Sequence, residues 1–190
     1  MIPAEMTAYE IRWHGRGGQG AVTSAKILAD AAHRSGFAGV TSQPSFGAER
    51  RGAPITASTR LAHEPIRILN QVTEPDIVVV LDDSLLGVGN ASTGLRPGGT
   101  IIVNTTKSAA ELGVSGDVRV VTSDVTGAAQ AVDLIVGGQA MVSTAILGAV
   151  AAATGLITME SVEAAIGHAF SGKAAAKNIE AARIAFECTR

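Results

Sequence analysis

The 190-residue chain holds a single cysteine, Cys188. One thiol cannot form an internal disulfide, cannot supply the thiolates of an ordinary iron–sulfur cluster and cannot build a cysteine-rich zinc site. The four histidines, His14, His33, His63 and His168, are scattered without the close spacing of a metal pair. No metal or redox centre is therefore expected within this chain. Aromatic residues make up only 3%, one Trp, one Tyr and four Phe. The core must then be built from Ala, Val, Ile and Leu, with helices packed closely. Charged residues reach only 17%, against a usual value of about 25%, so part of the surface is expected to face a partner. Lys plus Arg number 15 and Asp plus Glu 17, for a net charge of −2. This balance, with almost no basic runs, argues against nucleic acid. The most apolar stretch, Ala140 to Ala153, falls short of the ~18 residues that a membrane span needs, and reads as a buried helix. Met1 to Met6 shows neither the basic nor the apolar region of a signal peptide. A soluble, cytoplasmic protein without a membrane span is the expectation.

The hydrophobic share is 46%, enough to exclude disorder, and a chain of this size buries roughly 70% of its unfolded surface. Strand and helix patterns alternate. Tyr9–Trp13 reads as a short strand that enters His14-Gly15-Arg16-Gly17-Gly18-Gln19-Gly20. A helix follows, with Ala21, Ala25, Leu28 and Ala32 on one face and Thr23, Lys26, Asp30 and Arg34 on another. Further strands are predicted at Ala38–Ser42, Ile55–Leu61, Ile77–Leu81, Ile101–Val103 and Val118–Val121. Ile66–Leu69 is expected to pair with Ile55–Leu61 as an antiparallel hairpin addition. Helices are predicted at Gly127–Ile135, Gln139–Ala153, from Thr158 or Ser161 to Phe170, and at Ala174–Phe186. The order predicts one α/β domain over residues 1–190: a Rossmann-like, three-layer arrangement with a mostly parallel sheet and a helical C-terminal third that packs back on the sheet.

Gly15-Arg16-Gly17-Gly18-Gln19-Gly20 matches G-x-G-x-x-G between a strand and a helix. Such a loop can cradle phosphate at the helix N-terminus, or simply shape a strand–turn–helix. A dinucleotide site also wants a carboxylate about 20 positions on, at the end of the second strand. Here that strand ends in Thr41-Ser42-Gln43, which weakens an independent NAD(P)- or nucleotide-binding reading without removing it. The second signal is Glu49-Arg50-Arg51, in an irregular stretch between Pro44 and Pro54. It is either a solvated charged loop or an anion-recognition element, since Arg presents a planar fork suited to phosphate and carboxylate. Asp82 and Asp83 could act as acids or bases, but Asp82-Asp83-Ser84 suits helix or turn capping, the simpler reading. His14 could donate a proton, but a loop-entry histidine with a backbone partner is simpler. Cys188 lies in a terminal helix with no activating partner in view. No catalytic residue is assigned within the chain.

Two segments together carry a family resemblance. Ile11-Arg12-Trp13-His14-Gly15-Arg16-Gly17-Gly18-Gln19-Gly20-Ala21 and Pro44-Ser45-Phe46-Gly47-Ala48-Glu49-Arg50-Arg51-Gly52-Ala53-Pro54 closely resemble the gamma subunit of 2-oxoacid:ferredoxin oxidoreductases, the family of pyruvate synthase. The likeness continues through Pro75–Asp82, Ile101–Thr105, Thr144–Ala149 and Lys177–Ala181, in family order. The related indolepyruvate oxidoreductase subunit, an alternative, would usually carry an apolar residue in place of Arg16.

The resemblance implies an assembly. Enzymes of this family oxidatively decarboxylate a 2-oxoacid on thiamine diphosphate, pass single electrons through iron–sulfur clusters to ferredoxin, and in most members transfer the acyl group to coenzyme A. Thiamine diphosphate, Mg2+ and the clusters are expected in partner subunits of alpha, beta and delta type. The thiamine signature Gly-Asp-Gly is missing here, with Gly116-Asp117-Val118 as the nearest approach. The gamma chain is expected to supply interface and part of the coenzyme A region. Gly15, Arg16, Gly17, Gly18, Gln19 and Gly20, with Glu49, Arg50 and Arg51, are the candidate residues for coenzyme A or for a partner subunit.

Overall fold

The computed structural model describes residues 8–44, 52–67, 70–88 and 90–190. Six strands form the main sheet: β1 Tyr9–Arg16, β2 Gly39–Pro44, β3 Pro54–Ala62, β4 Ile77–Val80, β5 Gly99–Asn104 and β6 Val118–Ser123. Their spatial order is β2-β3-β1-β4-β5-β6. β1, β4, β5 and β6 are mutually parallel. β3 pairs antiparallel with β1 on one side and β2 on the other, so it alone runs against the rest. The α/β class, the mostly parallel sheet and the antiparallel addition stand as expected.

The addition is made differently from the prediction. The hairpin is β2 with β3, and Ile66 and Arg67 lie outside any strand, while Ile68 and Leu69 fall outside the described residues. Both edges of β3 are already occupied, so no ladder position remains for a third neighbour. The return segment instead crosses one face of the sheet, where the Glu64 carbonyl oxygen lies 2.0 Å from the position a Cβ on Gly39 would take. Only glycine allows that crossing. β1 also runs three residues further than predicted, because Gly15 and Arg16 keep the register with Ile55 and Pro54.

Helices α1 (Ala21–Arg34), α3 (Val125–Ala131), α4 (Val142–Thr154), α5 (Met159–Ala169) and α6 (Gly172–Cys188) share one core with the sheet face that presents Ile11, Trp13, Ile77, Val79 and Ile102. Within α1 the predicted apolar face, Ala21, Ala25, Leu28 and Ala32, is fully buried. α4 buries eleven of its thirteen residues, as a helix enclosed on nearly all sides must. α6 packs mainly on α4 and on α3 and α5, and reaches the sheet at β6, where Ser123 Oγ donates to the Ala185 carbonyl at 3.1 Å. The opposite sheet face carries Val78, Val80, Ile101 and Val103, covered by the single-turn α2 (Leu85–Val88), a 3₁₀ turn at Ala110–Leu112 and loops. The three layers are therefore of very unequal thickness.

On that thin side the sheet is polar at its β1–β3 end. Arg60, 3% exposed, donates to Glu10 Oε1 at 2.7 Å and to Asn70 Oδ1 at 2.9 Å. Arg96 donates to Asp76 Oδ1 at 2.9 Å, and Asp76 Oδ2 accepts from the Glu10 amide at 2.8 Å. This network pairs the buried guanidinium with a carboxylate and a carboxamide oxygen, as burial of its charge requires.

The helical third departs from prediction at one place. Predicted helix at Ile135 and at Gln139–Ala140 is instead a small hairpin, β7 (Ile135–Val136) and β8 (Gln139–Ala140). Its two-residue turn is Gly137-Gly138, with φ 58° and 78°. Positive φ at both central residues defines the turn that matches strand twist, and glycine adopts it without cost. Among the described residues no helix is long and apolar enough to cross a membrane.

Candidate functional site

β1, β4 and β5 are parallel neighbours, so the segments leaving their carboxyl ends meet at one edge of the sheet. That is where ligands bind in open α/β folds. A cleft of about 340 Å³ opens there, between the glycine loop and Gly52 on one side and Asn104, Thr126 and the β7–β8 hairpin on the other. Leu81, Met141 and Val142 supply apolar wall, and the exposed amides of Gln130 and Gln139 supply polar rim.

The glycines mainly shape and pack. A Cβ on Gly15 would meet Leu81 Cδ1 at 2.9 Å and Ala21 Cβ at 3.2 Å. Gly20, the residue that starts α1, has φ 82°, and a Cβ there would lie 2.7 Å from Ser143 Cβ. The backbone of Gly17 is committed too, with its N–H donating to the Ala53 carbonyl at 2.8 Å and its carbonyl accepting from Gly52 at 3.0 Å. The loop thus continues the β1–β3 ladder beyond the strand. α1 begins behind it with no side-chain cap and no acidic residue in its first turn, leaving its positive end uncompensated.

The charged chemistry converges on Asp82. Arg16 Nε and Gln19 Nε2 both donate to Asp82 Oδ2 at 3.1 Å. The Ser84 amide donates to Asp82 Oδ1 at 3.1 Å, and the Ser84 hydroxyl makes a short hydrogen bond to the same oxygen. Arg16 Nη2 reaches Ser84 Oγ at 2.6 Å and Nη1 the Gly52 carbonyl at 3.1 Å. Gln19 closes the ring, its Oε1 accepting from the Arg16 amide at 2.7 Å. Partial burial pushes the Asp82 pKa up. Hydrogen bonds from Ser84 and Gln19 and the charge of Arg16 outweigh it and hold the carboxyl below its ordinary value. Asp83 beside it is also held low, first by Lys107 at 2.9 Å and then by Thr105.

Gly15 to Gly20 therefore all stand at the cleft or directly behind it. Glu49, Arg50 and Arg51 lie outside the described residues. From sequence, capping was preferred for Asp82-Asp83-Ser84 over acid–base work by Asp82 or Asp83. The signal for more was available, because they follow β4, a strand whose end shares an edge with the end of β1. His14 is not at a loop entry but inside β1, 7% exposed, and its partner is a side chain: Nε2 accepts from Arg12 Nε at 3.0 Å. Burial, then the Arg12 charge, lowers its pKa to about 4. It is neutral at physiological pH, with Nε2 as the acceptor and its one ring proton left for Nδ1, so it does not serve as a cationic acid. Arg12 in turn donates to the carbonyls of Thr73 at 3.4 Å, Ala91 at 3.1 Å and Thr93. Among the described residues no three His, Cys, Asp or Glu side chains gather as a metal site.

A family model for pyruvate ferredoxin/flavodoxin oxidoreductase matches residues 10–188. The chain is 52% identical over 185 residues to the pyruvate/ketoisovalerate oxidoreductases common subunit gamma of Thermococcus kodakarensis, covering 95% of this chain and 96% of that protein. It is 48% identical over 178 residues to pyruvate synthase subunit PorC of Methanothermobacter thermautotrophicus, covering 94% of each. The crystal structure of pyruvate oxidoreductase subunit PORC from Thermotoga maritima superposes with a TM-score of 0.83 at 31% identity, over 97% of this chain and 98% of that one. By sequence over almost its whole length, and by fold, the chain belongs to the pyruvate ferredoxin/flavodoxin oxidoreductase family, as a subunit of the gamma or PorC type.

Proposed function

We infer that this chain works as the gamma subunit of a cytoplasmic, multi-subunit enzyme that oxidatively decarboxylates a 2-oxoacid, pyruvate first, to acyl-coenzyme A and carbon dioxide with reduction of ferredoxin. The observation that carries this reading is identity of about half to gamma and PorC subunits over 95% and 94% of the chain. Thiamine diphosphate, Mg2+ and the iron–sulfur clusters belong to the alpha-, beta- and delta-type partner subunits. The single Cys188 is consistent with that division: its thiol lies 3.4 Å from Ser123 Oγ, and it is not among the residues that line the cleft.

The chain itself, acting as one domain over residues 1–190, supplies interface and part of the coenzyme A region. The cleft supports this role. It combines a guanidinium at its mouth, exposed carboxamides on its rim and apolar wall between them, which suits a ligand with phosphates, amides and an aliphatic arm. The independent nucleotide-binding alternative is weakened by topology. β3 is inserted between β1 and β2, which puts the end of β2 roughly 10 Å from β1, two strand spacings away, where a ribose-binding carboxylate would have stood beside the loop.

Reconstitution tests the reading. The purified chain alone is expected to reduce no low-potential dye from pyruvate and coenzyme A. Added to gamma-depleted catalytic subunits, it is expected to restore that reduction. Dye reduction by the chain alone, or full activity without it, defeats the assignment.

A further inference from the structure

We propose that Asp82 is a positioning residue, which fixes Arg16 and Gln19 in the orientation that the cleft presents to the coenzyme A phosphates. The proposal rests on the coenzyme A reading given above. Its ground is the geometry of the ring. One carboxylate oxygen accepts from both Arg16 Nε and Gln19 Nε2 at 3.1 Å, and the other accepts from Ser84, which in turn accepts from Arg16 Nη2. A free arginine samples many rotamers, whereas this one is held at three of its donors by Asp82, Ser84 and the Gly52 carbonyl. Five N–H donors less three leaves two to point at an incoming anion. Orientation set in advance removes the ordering cost of binding.

Asp82 also explains why Arg16 is tolerated inside a glycine loop. Its bulk is drawn sideways, across the end of β4, rather than over the loop backbone. The same contacts tie three separate segments together: the end of β1, the turn after β4 and Gly52 ahead of β3. A phosphate arriving at Arg16 competes with Asp82 for charge, so the carboxylate limits affinity as well as directing it. Removal of the carboxylate therefore tests whether orientation or net charge dominates, and the proposal commits to orientation.

The experiment uses the assembled oxidoreductase with the gamma chain replaced by Asp82→Asn, Ser84→Ala, Arg16→Ala or the Arg16→Ala/Asp82→Asn double variant. The readout is the KM for coenzyme A against kcat for pyruvate-dependent dye reduction. Asp82→Asn is expected to raise KM about tenfold, the change that ~1.4 kcal/mol produces, with kcat within twofold. Ser84→Ala, exposed and safe for folding, is expected to raise KM about threefold. Asp82→Glu should restore part of the loss. The double variant should lose clearly less than the two single losses combined, because what Asp82 does through Arg16 disappears with Arg16 and only its hold on Gln19 remains. If Arg16→Ala raises KM while Asp82→Asn and Ser84→Ala do not, or if the Asp82 effect adds in full to that of Arg16, positioning is refuted and the coenzyme A reading stands. If Asp82→Asn lowers KM, net charge dominates and the proposal fails. If Arg16→Ala leaves KM unchanged, the coenzyme A reading itself falls and takes the proposal with it.

Discussion

Gly148 on α4 sits directly against the backbone of Ala182 on α6: a Cβ at Gly148 would lie 1.8 Å from the Ala182 carbonyl oxygen. One turn earlier on both helices, Thr144 Oγ1 donates to Asn178 Oδ1 at 2.5 Å inside the same interface. Alanine is normally favoured over glycine within a helix by roughly 1 kcal/mol, so packing and not propensity sets this residue. The low aromatic content is consistent with this, since helices this close leave no room for rings.

Gly148→Ala is therefore expected to destabilise the chain by about 3 kcal/mol, the upper end for overpacking against backbone. For a chain of this size that lowers Tm by roughly 6–12 °C. Thermal unfolding of the purified variant checks it, and a Tm within about 2 °C of wild type would show that α6 slides away freely.

His14 gives an acid-side prediction. Its folded pKa of about 4 lies below the ordinary 6.5. Between those values the unfolded chain binds a proton that the folded chain does not, so stability rises with pH across that window and falls on acidification. The full loss from pH 6.5 to 4 is about 3 kcal/mol, at 1.36 kcal/mol per unit. His14→Gln, which can still accept from Arg12, should flatten this part of the stability–pH curve while leaving neutral stability nearly unchanged. Denaturant unfolding at a series of pH values measures the difference, and parallel curves would mean that the histidine is not buried neutral.

Arg60 tests the polar face. With its side chain 4% exposed and its guanidinium on Glu10 at 2.7 Å, truncation leaves a carboxylate short of its main partner. Arg60→Ala is expected to cost about 3–5 kcal/mol. Arg60→Met combined with Glu10→Gln should cost clearly less, because it removes both charges together. Equal losses in the single and double variants would put the cost in packing of the arginine stem and not in the unpaired charge.

Strands and helices with strong periodicity were legible in the sequence. α1 and β4 fall within a residue or two of their predicted bounds and α4 ends one residue past its own, because each buries a continuous apolar face that local pattern reveals; α4 starts three residues late, where β8 takes Gln139 and Ala140. Long-range pairing was not legible. Ile55–Leu61 reads as the partner of Ile66–Leu69, its neighbour along the chain, whereas the assembled sheet places it between β1 and β2. The β7–β8 hairpin carried a readable Gly137-Gly138 signal, obscured by the helical patterns on both sides. For the site, the glycine loop was visible as a motif. Asp82 at its centre was not, since 62 residues separate it from Gly20 and parallel strand order alone brings them together.

The glycine loop itself separates packing from ligand approach. Gly18 has φ 99° with nothing within 4 Å of a Cβ, whereas Gly20 combines φ 82° with a Cβ position 2.7 Å from Ser143. Alanine at Gly18 pays only backbone strain, about 1–2 kcal/mol. Alanine at Gly20 adds a collision with α4 and is expected to cost about 3 kcal/mol or more. Unfolding measurements on the two variants give the order, with Gly20→Ala the less stable. In the assembled enzyme the ranking should reverse for coenzyme A: Gly18→Ala adds a methyl to the lining of the cleft and should raise KM beyond what its small stability loss explains. If both variants are equally stable, the tight approach of α1 to Ser143 is not what requires glycine at position 20.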